Sequence, residues 1–249
     1  MKLLAIDSSG LVATVALLDG DLITAEYTIN YKKTHSQTLL PMIDEITEMT
    51  ELDLSSLDGI AVAGGPGSFT GLRIGSATAK GLGLALDLPL ISVPTLDALA
   101  FNLCGMNGIV CPMMDARRSQ VYTGIYRFSG NEMETLMPQA PMAVEEIAEK
   151  INQIARETAK TAAGTQPEEV VLLGDGVPVY QEKLDALLTV PYRIAPPHHA
   201  RQRAAALAVL AVRYMKEGKI QTAEEHAPDY LRLSQAERER AKREQETHA

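Results

Sequence analysis

The apolar residues of the first thirty positions fall in short strand-like runs separated by turn residues. Lys2 to Asp7 is a buried-strand pattern that ends in the polar turn Asp7-Ser8-Ser9-Gly10. Val12 to Leu18 reads as a second strand, Asp19-Gly20-Asp21 as a hairpin signal and Leu22 to Thr28 as a third strand. The period then changes. Leu39, Met42, Ile43, Ile46 and Met49 share one side of a helix expected from Thr34 to about Met49, with Thr34 or Ser36 to cap it. Pro41 should kink or delay that helix. Ile60 to Ala63 is a short buried strand, Gly64-Gly65-Pro66-Gly67 is expected to leave it as a tight loop, and Thr70 to Leu86 is helical. Pro89 to Val93 gives another strand, and Pro94-Thr95 opens a helix from Leu96 to Leu103.

The second half repeats the plan. Ile109 to Asp115, Gln120 to Phe128 and Glu132 to Met137 predict three strands, and Val144 to Thr158 an amphipathic helix. Glu168 to Leu173 predicts a buried strand closing in Gly174-Asp175-Gly176, followed by a helix from Val179 to Leu187 and a strand at Tyr192-Arg193-Ile194-Ala195. Arg201 to Lys216 is a strongly apolar, alanine-rich helix. The landmarks keep their spacing: Asp7 stands 58 positions before Gly65, and Asp115 stands 59 before Gly174. This is the signature of a duplicated βββαβα unit. Two such lobes side by side define an α/β, actin-like fold (ASKHA, with the ribonuclease H-like motif), the architecture of actin, sugar kinases and the Hsp70 ATPase domain. The expected organisation is a first lobe at 1–103, a second at 104–195, a C-terminal helix and segment at 196–233 that packs back on the first lobe, and a charged tail at 234–249.

The stretch from Gly59 to Gly75 carries the most information. Strand, glycine loop and helix can aim backbone N–H groups at an anion, with Ser8, Ser9, Gly65 and Gly67 as the contacts; the same glycines can serve turn geometry alone. The loop is neither a Walker A loop nor a dinucleotide fingerprint, because neither spacing is present. In the helix that follows, Gly71, Gly75, Ala79 and Gly83 recur every fourth residue as a bare stripe, with Leu72, Leu82 and Leu86 beside it. Interior glycines cost about 1 kcal/mol each relative to alanine, so another backbone comes close there. That backbone belongs either to the chain's own sheet or to a second helix from another chain.

Composition narrows the chemistry. The chain has 249 residues with a net charge of −9, 4% aromatic residues and no Trp, and a pI near 5.1. Such a surface does not grip nucleic acid unaided. The two cysteines make neither a disulfide framework nor a zinc cluster, and the expected setting is a reducing cytoplasm. The first residues begin a strand at once, so no secretory leader is expected, and no apolar run reaches membrane-spanning length. The five histidines show no i, i+4 pairing, so no metal site is expected. Asp7 and Asp115 stand where carboxylates assist phosphoryl transfer in this architecture, but Ser8-Ser9 replaces the glycines of a phosphate turn and favours a turn-stabilising Asp7. The serines lack an evident His–Asp relay. His35 is expected at a cap or on the surface, and Arg117-Arg118 either meets an anion or a partner's carboxylates or is simply solvated.

Asp7-Ser8-Ser9, His35-Ser36-Gln37 with Leu39-Leu40-Pro41, the run from Gly64 to Gly75, Pro94-Thr95-Leu96-Asp97 and Asp115-Ala116-Arg117 together resemble the bacterial TsaB (YeaZ) family. The resemblance implies a non-catalytic scaffold and activator in synthesis of threonylcarbamoyladenosine at position 37 of tRNA. It implies TsaD and TsaE homologues as partners, a homodimer when the chain is alone, tRNA contacted only indirectly, and no cofactor beyond a nucleotide at a subunit junction. It also implies that the first-lobe helices form the interface. Leu39, Met42, Ile43, Ile46, Leu72, Gly75, Ala79 and Gly83 are the residues expected there, and an arginine at Gly75 is expected to block docking without disturbing the fold. A free-standing ATP-dependent small-molecule kinase is the alternative, and a peptidase ranks behind both.

Overall fold

The computed structural model describes residues 1–161 and 167–231. The charged tail expected at 234–249 lies outside the described residues. The first sheet contains β1 (Lys2–Asp7), β2 (Ala13–Asp19), β3 (Leu22–Ile29), β4 (Gly59–Gly65) and β5 (Leu90–Pro94) in the order β3-β2-β1-β4-β5. The second contains β6 (Asn107–Asp115), β7 (Gln120–Ser129), β8 (Glu132–Ala143), β9 (Val170–Leu173) and β10 (Tyr192–Ile194) in the order β10-β9-β6-β7-β8. Read from the other edge, the second order repeats the first. In each sheet the hairpin strands are antiparallel and the later strands parallel to the first. The duplicated actin-like topology expected from the landmarks is present, down to a positive φ at both Gly65 (115°) and Gly174 (107°), a backbone region that only glycine enters freely.

Helices α1 (His35–Met49) and α2 (Phe69–Leu86) cover the outer face of the first sheet, and α4 (Val144–Thr161) and α5 (Gly176–Leu187) the outer face of the second. Between the sheets lie α3 (Thr95–Phe101) and α6 (Ala204–Lys216). Strand alternation sets these layers. Leu3 and Ala5 of β1 face the central core with Leu207 and Ala208 of α6, whereas Leu4 and Ile6 face the outer core with Ile43 and Ile46 of α1. Thus α6 returns to pack on β1 and β2 of the first sheet.

Several element ends differ from expectation for physical reasons. Gly64 and Gly65 continue β4 instead of leaving it, because parallel pairing with β5 extends to Gly65 opposite Pro94. Pro41 lies inside α1, which starts at His35 and runs on to Met49 without a break. The hydroxyl of Thr34 meets that of Ser36 at 3.2 Å and caps no helical N–H. β8 runs to Ala143, past its expected end at Met137, because β7 pairs along its length. Helix α6 begins at Ala204 and not at Arg201: Thr14 Oγ1 accepts from Ala204 N at 3.2 Å and Glu26 Oε1 from Ala205 N at 3.0 Å, so β2 and β3 fix the first turn.

Candidate functional site

The turn after β1 and the turn after β4 meet. Asp7 is buried, and its Oδ1 accepts from Ser9 N at 2.8 Å and Ser9 Oγ at 2.6 Å. Burial pushes its carboxyl up to about 6, against the lowering effect of the Ser9 hydrogen bonds and the nearby His35. Ser8 Oγ donates to Gly71 O at 2.8 Å, and Ser68 N donates to Ser9 O at 2.6 Å. Ser68 caps α2, its hydroxyl accepting from Gly71 N at 3.3 Å. His35 Nε2 lies 2.9 Å from Gly10 O. His35 is therefore neither a helix cap nor a free surface residue; it braces the first turn.

This arrangement gives the glycines of the loop a role inside the chain. The structure brings Ser8, Ser9, Gly65 and Gly67 together, but against each other. A side chain on Gly67 would meet the Ser9 carbonyl, and one on Gly65 would meet the Asp229 carbonyl. Gly65 N is already paired with Thr95 Oγ1 at 3.2 Å. These glycines serve close approach of the chain's own segments. The hydroxyls of Ser8, Ser9 and Ser68 are all engaged in this packing, and Asp7 is the residue that holds the turn.

The second lobe builds a different turn. Asp115 Oδ1 accepts from Arg117 N and from Tyr180 Oη, each at 2.8 Å, while Asp175 Oδ1 accepts from Asp115 N at 3.1 Å. Burial raises the Asp175 carboxyl above its usual range. Arg117, Arg118 and Ser119 are exposed and have φ of 61°, 56° and 57°, a left-handed turn that costs non-glycine residues roughly 1–2 kcal/mol each. Neither arginine forms an ion pair among the described residues. No group of three or more His, Cys, Asp or Glu able to hold a metal occurs among the described residues either, and no helix there is long and apolar enough to cross a membrane.

The expected interface residues occupy the inside of the molecule. Leu39, Met42, Ile43 and Ile46 are buried in the outer core with Leu4, Ile6 and Val15. Leu72, Gly75, Ala79 and Gly83 are buried too. Ser8 Oγ lies 2.5 Å from where a Gly75 side chain would begin, and Leu90 Cδ2 3.0 Å from the same point on Gly83. The glycine stripe thus admits the chain's own sheet and β1 turn, and an arginine at Gly75 would strike the Ser8 turn. The outward faces of the same two helices consist of other residues: Gln37, Leu40, Pro41 and Asp44 on α1, and Arg73, Ala77, Gly81, Leu84 and Ala85 on α2. Leu40 and Leu84 are each 57% exposed. Among the described residues, a side chain on Gly81 would meet nothing within 4 Å. This second stripe, Ala77, Gly81 and Ala85 at intervals of four, was readable in the sequence but lay in the shadow of the first.

Two lobes of duplicated topology, with the first-lobe turn closed by its own side chains, define a protein of the actin-like class. The family described as "TsaD: tRNA N6-adenosine threonylcarbamoyltransferase" matches residues 23–240. The tRNA threonylcarbamoyladenosine biosynthesis protein TsaB of Bacillus subtilis (strain 168) is 32% identical over 237 residues, covering 95% of this chain and 96% of that protein. Its namesake from Escherichia coli (strain K12) is 30% identical over 244 residues, covering 93% and 95%. The solved structure of YeaZ from Pseudomonas aeruginosa superposes with a TM-score of 0.72 at 27% identity, covering 92% of this chain and 99% of that one. This chain belongs to the TsaB (YeaZ) family.

Proposed function

We propose that this chain is a non-catalytic scaffold and activator in tRNA threonylcarbamoyladenosine synthesis. It docks a TsaD homologue through the outward faces of α1 and α2, and the pair recruits a TsaE-type ATPase. The same face pairs two copies of this chain when the partner is absent. The tRNA is held mainly by the other subunits, in keeping with the net charge of −9. The observation that carries the reading is Gly81. Glycine inside a helix costs about 1 kcal/mol relative to alanine, yet among the described residues nothing comes within 4 Å of where a Gly81 side chain would begin. With Ala77 and Ala85 it leaves a shallow strip, flanked by Leu40 and Leu84, on which another helix can lie closely. Kinase chemistry in the cleft is the competing reading, and the filled β1 turn speaks against it.

The test is reconstitution of the tRNA modification with and without this chain, together with Gly81→Arg and Ala77→Arg. Both variants are expected to fold as the natural chain does and to lose co-purification with the TsaD homologue. Undiminished complex formation by both would refute the assignment of the face. Micromolar ATP binding with turnover by the isolated chain, measured calorimetrically, would favour the kinase.

A further inference from the structure

The segment after α6 returns across the molecule and touches α2 along its whole length. Gln221 and Leu90 exchange both backbone hydrogen bonds at 2.9 Å, which closes the free edge of β5. Ala223 is 5% exposed and sits 3.3 Å from where a Gly83 side chain would begin. Lys80 of α2 donates from Nζ to the carbonyls of Glu224 at 3.2 Å and His226 at 2.9 Å. Asp229 N donates to Gly64 O at 2.7 Å, and the Asp229 carbonyl lies against Gly65. The Tyr230 ring rests on Phe69, centroids 4.9 Å apart, and Arg73 stacks on Phe69 at 4.0 Å. One stretch therefore holds the start, middle and end of α2 and the turn before it.

Of residues 217–231, Ala223 alone joins a hydrophobic core; the rest of the grip is made of pegs. Ile220 and Tyr230 are 48% and 40% exposed. His226 is 2% exposed; its Nδ1 lies 3.1 Å from Gln221 Oε1, while its Nε2 has no hydrogen-bond partner among the described residues. A buried polar atom without a partner disfavours the seated arrangement. Few apolar contacts and an unpaired buried group describe a segment that opens more readily than the body it grips.

We propose that residues 217–231 form a clasp: its seating fixes α2 and the glycine turn, and docking on the outer face of α2 requires the seated state. This rests on the docking reading above and adds a control to it. A factor that lifts the clasp, acting from the inner side, would disable a face it never touches.

The experiment uses the full chain and the variant Ala223→Glu, which places a carboxylate where only a methyl group fits. Hydrogen exchange followed by mass spectrometry reads the isolated chain, and affinity for the TsaD homologue reads docking. Amides of α2 are expected to exchange at least ~10-fold faster in the variant while those of α4 and α5 stay within ~2-fold, with affinity lowered at least ~10-fold. Unchanged α2 exchange, equal acceleration in every element, or loosened α2 with undiminished affinity would each overturn the clasp. Should Ala223→Glu fail to fold, Tyr230→Ala replaces it. That half-exposed position is expected to speed exchange by roughly 3-fold, confined to residues 64–72, and no change there overturns the proposal. A natural chain that never binds the TsaD homologue refutes the docking reading instead, and the exchange arm then decides the clasp alone.

Discussion

Replacing Asp7 with Asn tests whether this carboxylate is a turn brace that is ionised at a cost. The carboxyl is pushed from 3.8 up to about 6 by burial, which outweighs two hydrogen bonds from Ser9. At about 1.4 kcal/mol per tenfold in proton affinity, ionising Asp7 in the fold costs about 3 kcal/mol more than ionising it in the open chain. The direction follows from proton counts. Between pH 4 and 6 the native state binds more protons at this position than the unfolded state, so its contribution to stability falls as the pH rises and is constant above about 6. Asn keeps an oxygen for Ser9 and carries no charge. Urea unfolding of both proteins at several pH values isolates the effect as a difference, since every other carboxylate titrates in both. That difference is expected to move in favour of Asp7→Asn by about 2.4 kcal/mol between pH 4 and 7.5, with its midpoint near 5. A difference that stays flat across this range, or moves against Asn, refutes the account of the turn.

The thiols should separate by burial: Cys111 is fully buried, with its thiol pushed up to about 12, and Cys104 is partly exposed. A disulfide reagent at pH 8 is expected to label one thiol per folded chain, at Cys104, and both in urea; two thiols reacting at similar rates in the native protein would contradict this. Asp97 of α3 accepts from Tyr126 Oη at 2.6 Å and from Tyr214 Oη at 2.8 Å, tying the first lobe to β7 and α6. Tyr126→Phe is expected to cost roughly 1.5–3 kcal/mol in urea unfolding, the range for a hydrogen bond to a charged group, and a loss below about 0.5 kcal/mol would show that the tie is idle.

The fold was largely legible because its signals are local. The apolar runs, the helical periods and the hairpin glycine depend on residues close in sequence and predicted the elements, and the repeated landmark spacing predicted the duplication. What escaped depends on distant partners. The true start of α6 is set by Thr14 and Glu26, which lie 190 and 179 positions before the amides they accept from. The far end of β8 contains Pro138 and Pro141, which break a strand pattern in sequence but are tolerated on a sheet edge. At the candidate site the apolar positions of α1 and the glycine stripe of α2 were read as a face for a partner, and the structure buries them. Apolar residues at helical spacing belong to the side that covers the helix's own sheet, so Leu39, Met42, Ile43 and Ile46 had to be core. The strip proposed for docking lies instead among the exposed small residues Ala77, Gly81 and Ala85.

That distinction gives α2 its particular character. At Gly71, Gly75 and Gly83 the absent side chains let Ser8, the first sheet and Ala223 come close, and packing offsets the weakened helix. At Gly81 no described residue comes within 4 Å of the missing side chain. The helix is therefore thin on both sides, with the β1 turn and the clasp pressed on one and open strip on the other. A thin helix holds whatever lies on its two sides near each other, so a shift of the inner packing reaches the outer strip with little side-chain slack to absorb it. A partner seated on Ala77, Gly81 and Leu84 would feel the state of Ser8 and of residues 217–231 through one layer of backbone.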